Sequence, residues 1–127
     1  MLVRSTRFRL EYNVCATFAI RSDASVKSVG QDRFYNTDLD QTLKAKGITT
    51  LILTGWKVSG SVVYTSVGAT LRGYTVVVPT DASLAATDYE VTIGQFQILN
   101  QNSANATNEP LKANASTLSR TDMIVFQ

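Results

Sequence analysis

Residues 48–66 read ITTLILTGWKVSGSVVYTS. The first half, through Gly55, is a short continuous apolar run of the kind found in strands covered on both faces. From Gly60 the spacing turns helical, with Val63, Val67, Thr70 and Leu71 on one side. Ser66, Gly68 and Ala69 are small enough to let that helix lie close to a sheet, and Gly73 ends it. A buried strand that turns straight into a helix is the unit of a parallel α/β sheet. Its junction falls on the sheet edge where open α/β domains display functional groups.

The neighbouring segments extend the pattern. Upstream, Thr37 is expected as an N-cap, with Asp40 three residues on imitating a capping box. Leu39 and Leu43 form one apolar face, Lys44 and Lys46 suit the helix C-terminus, and Gly47 suits the position just past it. Phe34 and Tyr35 read as a hydrophobic staple and core. Downstream, YTVVVPTDAS supplies a second buried strand at about 74–78 that Pro79 stops, with Asp81 in a turn or cap role beside Ser83. Residues 88–100 read as a helix with Tyr89, Ile93 and Phe96 inward. The polar tract NQNSANATNEPLKANAS reads as a loop, and TDMIVF as a closing strand at about 122–126. Three strands make a thin sheet, to which RFRLEYNVCATFAI is a candidate addition.

Composition narrows the chemistry. The chain has 127 residues, 44% apolar and 17% charged, which is one soluble domain's worth. A net charge of +2 without a concentrated basic patch argues against nucleic acid. No apolar run approaches the roughly 20 residues of a membrane span. There is one cysteine, Cys15, so no intramolecular disulfide forms, and nothing in the sequence near it would lower its pKa. There is no histidine, which removes Ser-His-Asp and Cys-His catalysis and His-based zinc sites. No secretory signal is evident, and a cytoplasmic location is the expectation.

The run FYNTDLDQTLKAKGITTLILTGWKVSGSVVYTSVGATLRGYTVVVPTDAS resembles the isochorismatase-like hydrolases of the cysteine hydrolase superfamily. The matching features are the aromatic-x-x-TDL helix start, the AKGI turn, the LILTG strand, a helix ending in RGY and the VVVPTDA strand. The resemblance runs from about Ala19 to Gln127. It implies a three-layer α-β-α fold with a mostly parallel sheet. Residues 1–18 then stand as an unrelated or irregular leader, and 19–127 as a partial domain truncated at its N-terminus.

The resemblance also implies a triad of aspartate, lysine and cysteine, in which the cysteine attacks a carbonyl and backbone N–H groups hold the oxyanion. Ser61 occupies the nucleophile position and Lys27 is the candidate triad lysine. The oxyanion and substrate contacts fall on Lys57, Ser61, Trp56 and Gly60, with a cis peptide expected near Trp56-Lys57. Nothing in the chain matches the strand-borne aspartate. No cofactor and no metal are implied.

Each candidate has a plainer reading. Ser61 can simply open a helix, and Lys27 and Lys57 can be solvated. Two function classes therefore stay open. One is a hydrolase acting on a small molecule with an amide, ester or vinyl-ether bond. The other is a non-catalytic remnant that works through oligomerisation or partner binding, since an incomplete sheet leaves strand edges for a homo-oligomer. A nucleotide-binding βαβ unit ranks last, because GWKVSG lacks the phosphate-loop spacing.

Overall fold

The computed structural model describes residues 30–108 and 111–124. Three parallel strands form its centre: β1 (Thr50–Ile52), β3 (Thr75–Pro79) and β5 (Ser116–Ser119), ordered β1-β3-β5. Leu51 sits opposite Val76, and Val77 opposite Thr117. A two-residue strand, β2 (Gly55–Trp56), pairs in parallel with β4 (Ser83–Leu84) just beyond the ends of β1 and β3. Helices α1 (Leu39–Ala45), α2 (Val63–Thr70) and α3 (Asp88–Asn100) alternate with these strands. The α/β class with a parallel sheet is the one expected.

Side-chain alternation along the strands divides the core. Leu51, Leu53, Val76 and Val78 join Leu39 and Leu43 of α1, Val63 and Ala69 of α2, and Ile98 of α3 in one cluster. The intervening Ile52 and Val77 face the other side, where Leu111 and Ile124 pack on them. Fully burying a Val, Leu or Ile side chain is worth roughly 1.5–3 kcal/mol, so the buried residues of β1 and β3 make a large contribution to the hydrophobic drive.

The turns that lead from α1 into β1 and from α2 into β3 use the same device. Gly47 lies at φ 67°, its N–H donates to the Lys44 carbonyl, and the Ile48 N–H donates to Leu43. Gly73 lies at φ 87°, its N–H donates to Thr70, and the Tyr74 N–H donates to Ala69. Tyr74 is buried, stacks on Phe34 at 5.7 Å and donates its hydroxyl to the Asp40 carboxylate at 2.8 Å.

Several expectations need correction. The closing strand is Ser116–Ser119, beginning on the last residue of the tract expected as a loop and ending before the segment expected as a strand, and Thr121–Met123 form a 3-10 turn where the strand was placed. Residues 125–127 lie outside the described part. The strand is polar because its hydroxyls have buried partners. Ser116 Oγ donates to the Ile98 carbonyl at 2.7 Å, and Asn105 Nδ2 donates to Thr117 Oγ1 at 3.3 Å.

The inward face of α3 also differs. Tyr89 and Phe96 are 74% and 60% exposed, while Gly94 and Ile98 are buried. A Cβ on Gly94 would lie 2.8 Å from the Ser59 nitrogen, so only glycine lets α3 approach the 58–62 turn this closely. Leu71, grouped above on one side of the helix with Val63, is 73% exposed, and Tyr35 is exposed beside a buried Phe34.

The start of α1 shifts by one residue. Asp38 takes the N-cap position without a side-chain cap bond. The Thr37 hydroxyl instead donates to the Arg33 carbonyl and accepts the Leu39 N–H. Asp40, expected to imitate a capping box, pairs with Lys44. No helix among the described residues is long and apolar enough to cross a membrane.

Candidate functional site

The site candidate is built where β1 gives way to α2. After Ile52, the Leu53 N–H donates to the Val77 carbonyl at 2.9 Å, and the buried Ser83 hydroxyl donates to the Leu53 carbonyl at 3.4 Å. Gly55 lies at φ 124°, a region closed to most side chains, and β2 then pairs with β4 for two residues. The peptide between Trp56 and Lys57 is cis, at the position the resemblance implied. Val58–Val62 form a π-helical turn before α2 begins. The Lys57 carbonyl closes this turn by accepting the N–H groups of Gly60 at 3.0 Å and Val62 at 3.3 Å.

Two segments brace the turn. On one side α3 presses Gly94 against Val58 and Ser59. On the other, residues 31–33 are held by the fully buried Thr65 hydroxyl, which donates to the Gln31 carbonyl and accepts the Arg33 N–H, both at 3.2 Å. Asp32 accepts the Phe34 N–H at 2.8 Å and lies so close to α2 that a Cβ on Gly68 would sit 2.6 Å from its carboxylate.

Four of the five expected site residues fall on the turn. Ser61 is half-buried, and the Arg33 guanidinium approaches its Oγ at 3.5 Å, the long end of a hydrogen bond. The same guanidinium donates to the Gly30 carbonyl at 3.4 Å. Gly60 is buried, with Gln31 Oε1 3.4 Å from where its Cβ would be. Trp56 is 63% exposed, opposite the likewise exposed Leu84. Lys57, read from the sequence as facing either an anion or solvent, forms an ion pair with Glu90 of α3. Lys27 and Cys15 lie outside the described residues.

The hydrogen bond and charge of Lys57 hold the Glu90 carboxyl below its usual range, against the opposing pull of desolvation. Glu90 also accepts the Ala86 N–H at 3.0 Å, while its own N–H donates to the Thr87 hydroxyl at 3.2 Å. This reciprocal cap fixes the start of α3 and aims the carboxylate at Lys57. The pattern Thr87-x-x-Glu90 was a legible signal for it in the sequence. Arg33 had no comparable signal, because only the fold brings residue 33 to residue 61.

Asp81 works as a tie. Its carboxylate accepts the backbone N–H and the hydroxyl of Thr121, and those bonds hold its pKa below the usual carboxylate range. The turn role holds, with Thr121 as the partner where Ser83 was expected. Among the described residues no three His, Cys, Asp or Glu side chains gather as a metal would require. Nor does any carboxylate there contact Ser61, so the assembled groups are a hydroxyl, a guanidinium and the backbone of a tight turn.

A parallel α/β domain with a strand–turn–helix at the C-terminal edge of its sheet is the class these features define. The family profile of the isochorismatase domain matches residues 13–108, well over half of the chain, and the chain belongs to that family. No curated protein matches the chain significantly by sequence.

Among solved structures, a nicotinamidase from Bacillus subtilis is similar with a TM-score of 0.55 and 25% identity, over 57% of this chain and 40% of that one. The N-carbamoylsarcosine amidase of Thermoplasma acidophilum gives a TM-score of 0.53 and 27% identity, over 73% and 45%. An isochorismatase-like hydrolase from Alkaliphilus metalliredigens, 24% identical with a TM-score of 0.59 over 72% and 44%, supports the fold alone. The chain thus spans less than half the length of each of these three proteins.

Proposed function

We propose that the turn 55–61 is the substrate end of an isochorismatase-type hydrolase site, taking a small molecule with an amide, ester or vinyl-ether bond. In this reading the backbone N–H groups of Lys57 and Ser61 receive the carbonyl oxygen, and Trp56 covers the ligand. Gly60 keeps the turn tight, and Lys27 is the triad lysine. Ser61 polarises the bound group rather than attacking it. The observation that carries this last point is the partner of Ser61 among the described residues, which is the Arg33 guanidinium instead of a carboxylate base. A serine hydroxyl must lose its proton to attack, and a guanidinium cannot take one. The amide chemistry of two similar solved structures, the nicotinamidase and the N-carbamoylsarcosine amidase, supports the substrate class.

Titration with nicotinamide and N-carbamoylsarcosine, while following ammonia, tests the reading. Saturable binding without ammonia release above background is expected. Release at ordinary enzymatic rates, abolished by Ser61→Ala, would make Ser61 a nucleophile. Absence of binding by either compound at millimolar concentration would remove the substrate site altogether.

A second reading rests on a different observation. Tyr89 and Phe96 point out of α3, 74% and 60% exposed, seven residues apart and hence on one helix face. Pairing of that face between two copies would give the homo-oligomer that the thin sheet suggests. Sedimentation of Phe96→Glu as a monomer, with the parent protein a dimer, would support it. A monomeric parent would dismiss it.

A further inference from the structure

We propose that Arg33 is the specificity determinant of the turn, selecting small molecules that carry a carboxylate. The inference deepens the substrate-site reading above and rests on it. Two cations stand at the turn, and they differ in what they meet. The Lys57 ammonium is neutralised by Glu90. Among the described residues the Arg33 guanidinium donates to neutral oxygens, the Ser61 hydroxyl at 3.5 Å and the Gly30 carbonyl at 3.4 Å. Its hydrogen bonds among the described residues include no carboxylate, which leaves its donors beside Ser61 able to turn to an anionic ligand.

The position of Arg33 is also set in advance. Its N–H donates to the buried Thr65 hydroxyl at 3.2 Å, and its carbonyl accepts the Thr37 hydroxyl at 2.7 Å. The side chain therefore starts from a fixed backbone point on the wall of the turn.

A guanidinium presents paired donors that match the two oxygens of a carboxylate. Both of its present contacts are long for hydrogen bonds, so an anionic ligand can replace them at small cost. The Ser61 oxygen is the acceptor in its contact with Arg33, which leaves the hydroxyl proton directed elsewhere. That proton is available as another donor to the same ligand. A neutral ligand gains the hydroxyl and the turn, whereas an anionic one gains the charge as well. Hydrogen bonds to charged groups outweigh neutral ones enough to shift affinity by about tenfold or more.

The test compares N-carbamoylsarcosine, which carries a carboxylate, with its neutral methyl ester. Calorimetric titration against the parent protein, Arg33→Gln and Arg33→Lys gives the binding constants. The parent is expected to bind the acid about tenfold or more tightly than the ester, with the gap narrowing as salt is added. Arg33→Gln should erase the gap by weakening the acid alone, and Arg33→Lys should retain part of it. If Arg33→Gln does not fold, the salt dependence of the parent and the Arg33→Lys titration still decide the matter.

Equal binding of acid and ester by the parent overturns the role of Arg33 while leaving the substrate site in place. A preference that survives in Arg33→Gln does the same. Failure of both compounds to bind overturns this proposal together with the site itself.

Discussion

Where the strands of the sheet begin, Gly47 and Gly73 perform one task in one way. Each takes a positive φ, and each time two backbone N–H groups close the end of a helix before the chain enters a strand. Where the strands finish, the two exits share no such scheme. β1 leaves through β2, a cis peptide and a π-helical turn, while β3 leaves through a 3-10 turn and β4 before α3. The first end is held by local backbone chemistry. The second is held by contacts from distant segments: Thr65 on residues 31–33, Gly94 on Ser59, Glu90 on Lys57. The end that carries the candidate site is therefore the one the local sequence specifies least.

That difference can be broken experimentally, and the largest effect belongs to the site end. Gly94→Ala would put a methyl 2.8 Å from the Ser59 nitrogen and 2.9 Å from the Val58 carbonyl carbon, both backbone atoms of the turn. Urea unfolding should show a loss of about 2–3 kcal/mol, in the range of core overpacking. A loss under about 0.5 kcal/mol, within the scatter of ordinary surface changes, would mean α3 does not press on the turn as described.

At the other end the expected effect is smaller and purely conformational. A Cβ on Gly47 meets nothing within 4 Å, yet φ is 67°. Gly47→Ala should therefore cost about 1–2 kcal/mol, the strain of an L-residue in the left-handed region. Gly73→Ala, at φ 87° with equally open surroundings, should also destabilise through the backbone. Unchanged midpoints in both variants would remove the glycine device from the account.

The smallest effects concern charge. The Glu90 carboxyl is held below its ordinary value of 4.5 first by the Lys57 hydrogen bond. A carboxyl depressed in the folded state contributes stability that is whole above 4.5 and is lost as pH falls through its lower folded value. Acid titration of the parent should show this loss, and Glu90→Gln should show less of it. Identical acid profiles would unmake the pair.

Tyr74 gives the mirror case at the opposite end. Burial, aided by the hydrogen bond to Asp40 and its charge, raises its hydroxyl above the ordinary 10.0. A group raised in this way contributes stability that is whole below 10.0 and fades as pH climbs toward the folded value. Tyr74→Phe should flatten that alkaline loss.

What could be read from the sequence follows the same division. The apolar runs at Leu51–Leu53 and Val76–Val78, and the glycines that end α1 and α2, announce a parallel α/β sheet, because burial and φ > 0 leave marks on residue type. The strand at Ser116–Ser119 leaves no such mark. Its hydroxyls are satisfied by Ile98 and Asn105, partners that only the fold supplies. The outward turn of Tyr89 and Phe96 is hidden for a related reason, since it follows from the space that Gly94 leaves at the Ser59 backbone. Ser61 could be found from the family resemblance of its turn, whereas Arg33, twenty-eight positions upstream, became visible only through the contact itself.

The central claim is that Ser61 polarises a bound group and does not attack it. Incubating the parent protein and Ser61→Cys with p-nitrophenyl acetate, followed by intact mass and peptide mapping, tests this directly. The account predicts an acetyl group at position 61 in Ser61→Cys, whose thiol needs no base as strong as a hydroxyl requires, and none on Ser61 of the parent. Stoichiometric acetylation of Ser61 in the parent protein would contradict it.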